Sequence, residues 1–171
     1  MPGVEALGET LLVSPLADAW VRLDAAGRLA GLRLARAGSA GSSCETVPAS
    51  GALAAVRRSL DAFYEAPCDY DASPWLEESC VKRADAFSRS VWQAATKLPC
   101  GEVEESGAIA ARLGRPEAGR AVTQAALACP LPGLIPIHRV GGAIDGAPPE
   151  QRALLRRLLE HEQEKLVRWW F

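Results

Sequence analysis

Cysteine is the residue type here with the widest chemical range, and the chain has five: Cys44, Cys68, Cys80, Cys100 and Cys129. Thiolates attack electrophiles, ligate zinc or pair as disulfides. The number is odd, the spacing is wide and no two cysteines form a CxxC pair. That pattern argues against a disulfide framework and a zinc site, and for a reducing compartment. Two further groups carry polar chemistry. His138-Arg139 closes a short apolar segment that begins Leu134-Ile135-Pro136-Ile137. Arg120 is the one long basic side chain in a stretch otherwise made small by Ala118, Ala121, Ala125 and Ala126. A row of alanines lets a helix backbone approach a narrow groove closely, with the arginine reaching in.

These residues need elements to hold them. The first part reads as strands over Glu9 to Ser14, Ala19 to Leu23 and Leu29 to Ala35. Between the last two, Asp24-Ala25-Ala26-Gly27-Arg28 supplies a glycine where a hairpin needs positive φ. Ala37 to Gly51, rich in Gly, Ser and Ala, reads as a loop. Ser50 is placed to cap a helix whose apolar residues Leu53, Val56, Leu60 and Phe63 follow helical spacing. The second part reads as helical. Ala84 to Leu98 puts Phe87, Val91, Trp92 and Ala95 on one face, and Pro99-Cys100-Gly101 interrupts it. Gly107 to Leu113 gives two turns ending at Gly114. Pro116 suits the first position of the next helix, which runs through Arg120, Val122 and Ala126. Two short helices about a glycine turn make a helix-turn-helix, a motif shared by many folds. Glu150 to Glu162 carries Leu154, Leu155, Leu158 and Leu159 as the apolar face of a last helix.

The run from Phe87 to Val140, FSRSVWQAATKLPCGEVEESGAIAARLGRPEAGRAVTQAALACPLPGLIPIHRV, resembles the C-terminal domain of methylguanine-DNA methyltransferases. It follows that family's pattern of VW, PxGxVxSY, ARAVGxA and IPCHRV in register without a gap. Ser14-Pro15-Leu16 and the strands after it are similar to the family's N-terminal β domain, and Leu158-Leu159-Glu160-His161-Glu162 to its last helix. The resemblance implies an α+β fold. A small β-sheet domain with a helix, ribonuclease H-like, would occupy 1–80. A mainly helical, winged-helix-like domain with the helix-turn-helix would occupy 84–171.

In that family the cysteine of PCHRV takes the alkyl group from the guanine oxygen, once and irreversibly, with the next histidine, a water and a glutamate drawing off its proton. The damaged base is flipped into the pocket. Ile137 stands at the acceptor position here. An isoleucine has no lone pair and no ionisable proton, so no catalytic residue is expected there. His138 and Glu162 match the relay positions. Arg120 matches the arginine that takes the flipped nucleotide's place in the stack. Ser106, Ala121, Thr123 and Gln124 fall on the implied DNA-binding face. Pro136, Ile137, His138, Arg139, Val140 and Cys129 fall around the implied pocket strand.

Several of these positions depart from the family. Ser106 replaces a tyrosine, Thr123 a glycine and Cys129 an asparagine. Glu104-Glu105 would repel a phosphate backbone. After Val140 the longer binding loop is missing, and Gly141 to Gly146 runs directly into the last helix. Three readings follow: a non-catalytic binder of 6-O-alkylguanine in double-stranded DNA, similar to alkyltransferase-like proteins, that recruits a repair-protein partner; a protein-interaction module that has lost lesion recognition; and a methyltransferase using a displaced cysteine such as Cys129 or Cys100. The resemblance implies a monomer with no cofactor and no metal.

Composition bounds these readings. At 171 residues, with 49% hydrophobic and 23% charged residues, the chain is long enough to bury a core without staples. No apolar run reaches the roughly 20 residues of a membrane span. The opening Met1-Pro2-Gly3-Val4-Glu5 does not resemble a secretory signal. A cytoplasmic site of action, away from membranes, is therefore expected. The net charge of −2 alone speaks against nucleic acid, but it hides an asymmetry. Residues 1–85 hold eight Lys/Arg against twelve Asp/Glu, and residues 86–171 eleven against nine.

Overall fold

The computed structural model describes residues 6–38 and 51–170. Most of the Ala37 to Gly51 loop, the Ser50 cap and Cys44 lie outside the described residues.

Three strands, β1 (Ala6–Leu12), β2 (Ala17–Asp24) and β3 (Leu29–Arg36), form an antiparallel sheet in the order β1-β2-β3. The β2–β3 turn forms as expected: Gly27 takes φ 72°. Asp24 supports the turn by accepting from the amides of Ala26 and Arg28 at 3.0 and 2.9 Å. Helix α1 (Gly51–Glu65) buries Leu53, Val56, Leu60 and Phe63, the four residues at helical spacing. The Ser14 hydroxyl, in the β1–β2 turn, bonds Tyr64 of α1.

After a 3-10 turn at Ser73–Glu77 and the short α2 (Ser79–Lys82), the remaining elements are mainly helical. They are α3 (Ala86–Thr96), α4 (Ser106–Arg112), α5 (Gly119–Leu127), α6 (Ala143–Gly146) and α7 (Pro149–Trp170). The fold is therefore α+β, with the sheet first and the helices after it. Asp85 caps α3 by accepting from the Ser88 amide at 2.9 Å. Val91, Trp92 and Ala95 are buried as their spacing requires, and the Trp92 indole donates to the Ala125 carbonyl of α5 at 2.7 Å. One hydrophobic core runs through both parts, from Val21 and Leu29 of the sheet to Trp92, Ile109 and Leu155. β3 meets the helical part directly, because the Leu32 amide donates to the Pro130 carbonyl at 2.7 Å.

Four sequence expectations need correction. Pro116 starts a 3-10 turn, Pro116–Ala118, and α5 begins only at Gly119. The segment read as a pocket strand makes a 3-10 turn at Ile137–Arg139 instead. Pro136 precedes that turn, and side-chain bonds from His138 and Arg139 hold it curled. Gly141 to Gly146 does not run straight into the last helix; α6 intervenes. The last helix continues past Glu162 to Trp170, since residues 163–168 contain no breaker and Leu166 packs against Gly101.

Candidate nucleic-acid interface and the buried site behind it

α4 and α5 form the helix-turn-helix, joined through Gly114 (φ 74°) and the Pro116–Ala118 turn. Two short helices pack closely where side chains are small. Here a Cβ added to Gly119 would sit 3.5 Å from the Gly107 Cα. α5 turns Val122, Ala125 and Ala126 inward and leaves Arg120, Ala121 and Gln124 exposed. Arg120, the second residue of α5, has no hydrogen-bond or ion-pair partner among the described residues. Arg115 in the connecting turn lies over the Phe87 ring at 5.2 Å. Of the Glu104-Glu105 pair, Glu104 is bridged to Arg112 at 2.8 Å, so part of the expected repulsion is neutralised within the fold.

Ser106 and Thr123 are half-buried rather than outward-facing. They converge on Gly142 in the turn before α6, where an added Cβ would lie 2.8 Å from Thr123 Oγ1 and 3.6 Å from Ser106 Oγ. Thr123 therefore fills space beside the turn that follows Pro136 to Val140.

Behind the helices, Pro136 to Val140 is buried throughout, and Ile137 and His138 are both 0% exposed. Three donors of this region converge on Glu162 of α7, itself 0% exposed. The His138 Nε2 donates to Oε1 at 2.7 Å. Arg139 donates from Nε to both oxygens at 3.1 and 3.0 Å and from its terminal nitrogen to Oε1 at 2.7 Å. The Gly101 amide adds a bond to Oε2 at 2.7 Å. The second guanidinium arm donates to the Leu98 carbonyl at 2.8 Å. Burial pushes the Glu162 carboxyl up, but the hydrogen bonds and charges of His138 and Arg139 outweigh it and bring it down to about 2. The carboxylate thus joins α7, the Ile137–Arg139 turn and the loop after α3.

His138 Nδ1 has no hydrogen-bond partner among the described residues. With Nε2 donating to Glu162, Nδ1 is the acceptor atom of the ring. Among the described residues two cysteines are free, Cys80 and Cys129. Cys129 is buried, and burial pushes its thiol up to about 12. Burial also raises the Cys80 thiol, with Glu78 adding to the shift. Cys68 and Cys100 are joined as a disulfide. That pair corrects the expectation of no disulfide: 32 residues separate the two, and only the fold brings their Cα atoms to 5.1 Å.

The site thus joins Arg120, Ala121 and Gln124 on one exposed face, and Ile137, His138, Arg139 and Glu162 in one buried cluster. Gly101 was missed. Its signal was the Pro-Cys-Gly break: it takes φ 72°, and a Cβ there would lie 2.5 Å from Leu166 Cδ1. Among the described residues no group of three or more His, Cys, Asp or Glu could hold a metal ion, and no helix is long and apolar enough to cross a membrane.

An antiparallel sheet followed by a helical part built on a helix-turn-helix, with a buried His–Glu–Arg cluster behind it, defines the class of protein. Residues 86–164 match the family model described as "6-O-methylguanine DNA methyltransferase, DNA binding domain". Residues 86–164 thus belong to that family's DNA-binding domain.

Among its relatives is the methylated-DNA–protein-cysteine methyltransferase of Salmonella typhimurium, 52% identical over 56 residues, which are 33% of each chain. That of Mycobacterium leprae is 34% identical over 100 residues, covering 57% of this chain and 56% of the relative. The matches thus span a third to just over half of these relatives' length. A solved O6-methylguanine methyltransferase variant of Mycobacterium tuberculosis superposes with TM-score 0.61 at 28% identity, covering 90% of this chain and 91% of the other. The structure of Mycobacterium tuberculosis OGT in complex with DNA gives TM-score 0.59 at 25% identity, covering 90% and 93%.

Proposed function

We propose that this protein binds double-stranded DNA through α4 and α5, recognises 6-O-alkylguanine and acts in repair of alkylated DNA without accepting the alkyl group. The observation that carries the reading is the pairing of a free Arg120 at the start of α5 with Ile137 at the acceptor position. An exposed arginine without a partner is free to enter a groove or a base stack. A fully buried isoleucine cannot attack carbon. The fold is read as 1–80 supporting 84–171, with double-stranded DNA as partner, a repair protein recruited to the complex, and a monomer on the DNA.

A displaced acceptor has little support. Cys80 and Cys129 are held as thiols, and thiols are poor nucleophiles.

A second reading, an interaction module without lesion binding, is favoured by one observation. Ile137 is fully covered and Thr123 fills the space beside Gly142, so a flipped base would need those segments to part.

The test is titration of the protein and of Arg120→Ala against a fluorescent duplex carrying one 6-O-methylguanine. Loss of one stacking or phosphate contact should weaken binding roughly 5- to 150-fold, equivalent to about 1–3 kcal/mol. The protein's mass should be unchanged after incubation. Equal affinity of the two proteins would remove Arg120 from the account, and an added methyl would restore the enzyme.

A further inference from the structure

We propose that Cys68 and Cys100 are a thiol–disulfide exchange site, taking low-molecular-weight thiols and disulfides as its reactants, that sets the rigidity of the segment leading into the helix-turn-helix. Cys68 is exposed in the turn after α1, and Cys100 is half-buried in the Pro99-Cys100-Gly101 turn after α3. The bridge therefore crosses from the sheet-and-helix part to the helical part at a place a small molecule can reach. Exposed disulfides are the labile ones, whereas buried ones resist exchange.

The segment that Cys100 belongs to is held from one side only by non-covalent bonds. Arg139 holds the Leu98 carbonyl, Glu162 holds the Gly101 amide, and Gln163 Nε2 donates to the Gly101 carbonyl at 3.0 Å. Further on, the Glu104 amide donates to the Arg139 carbonyl at 3.0 Å, one residue before the N-cap of α4. The disulfide adds a covalent hold from the opposite side. Among the described residues no hydrogen bond or ion pair ties Cys68 or Asp69 to residues 99–101, so reduction leaves that side without a polar link.

The exchange balances without a metal or cofactor. The thiolate of one cysteine attacks a small disulfide RSSR, forming a mixed disulfide and releasing one RS⁻, which takes up the departing proton. The second cysteine attacks the mixed disulfide, forming the Cys68–Cys100 bond and releasing a second RSH. Two electrons pass from the protein to RSSR, and reduction by two RSH is the reverse.

The whole protein is equilibrated in glutathione buffers from fully reducing to oxidising, quenched with an alkylating reagent and analysed by mass spectrometry. Cys68 and Cys100 should change from alkylated to protected together, with a midpoint inside the range. Closing a loop of this length should raise Tm by roughly 7–14 °C in the oxidised form. Amide exchange of residues 100–104 should slow at least tenfold, and Cys68→Ser, at an exposed position, should abolish both differences. The proposal is overturned if the two cysteines alkylate independently, or stay protected at every ratio. It is equally overturned if coupled oxidation leaves Tm and the exchange of 100–104 unchanged. None of these readouts depends on DNA.

Discussion

Glu162 offers the sharpest quantitative test of how the buried cluster holds together. Glu162→Gln keeps the shape of the side chain but removes the charge that Arg139 faces; Glu162→Ala removes every acceptor. A carboxyl that titrates at about 2 when folded, against an ordinary 4.5, corresponds to about 3 kcal/mol of stability at neutral pH. Independently, breaking a buried ion pair by deleting one partner costs about 3–5 kcal/mol, because the other charge stays buried. The two figures agree, so Glu162→Ala should lose about 3–5 kcal/mol and Glu162→Gln about 2–3 kcal/mol at pH 7. The folded-state value lies below the unfolded one. The contribution is therefore fully present above pH 4.5 and is lost as pH falls from 4.5 towards 2. Urea denaturation of wild type and Glu162→Gln at a series of pH values reads this directly. The gap should be constant from pH 7 to 5 and close towards pH 2. A gap under about 1 kcal/mol at pH 7, or one that stays constant down to pH 2, would refute the reasoning.

Trp92→Phe removes the indole donor and leaves the Ala125 carbonyl unpaired between α3 and α5. It should cost about 1–3 kcal/mol by chemical denaturation; no loss would mean the bond is not formed in solution. Ile137→Cys restores a thiol beside His138, yet its mass should stay unchanged after incubation with methylated DNA. By the resemblance Ser106 stands where the family has a tyrosine, and Thr123 crowds the turn at Gly142. Fast addition of one methyl would show that the nucleophile alone was missing. Affinity of the wild type for duplex should also fall with rising salt, with a slope set by the few phosphates that the basic face contacts. A salt-independent affinity would argue against the helix-turn-helix as the contact surface.

Most of the fold could be read from local pattern. Leu53, Val56, Leu60 and Phe63 announce α1 by spacing, Gly27 marks its hairpin, and Val91, Trp92 and Ala95 mark the buried face of α3. These features depend on residues a few positions apart. What stayed hidden depends on residues far apart in sequence. The Ile137–Arg139 turn looks like part of a strand because Ile135, Ile137 and Val140 are apolar and β-branched, and only partners such as Glu162 and Leu98 show why it curls. Cys68 and Cys100 carry no spacing signal, since α1 and α3 bring them together. Glu104 reads as a free negative charge until α4 turns Arg112 towards it. The buried cluster was mostly legible: His138, Arg139 and Glu162 stood out in the sequence, whereas the Gly101 amide, a further donor to the carboxylate, did not.

The central claim is recognition of an alkylated base without transfer. Fluorescence anisotropy with two otherwise identical duplexes, one carrying a single 6-O-methylguanine, tests it most directly. The account predicts tighter binding to the modified duplex at physiological salt, fully reversed by unlabelled competitor. Equal affinity for the two duplexes, or no binding to either, would contradict it.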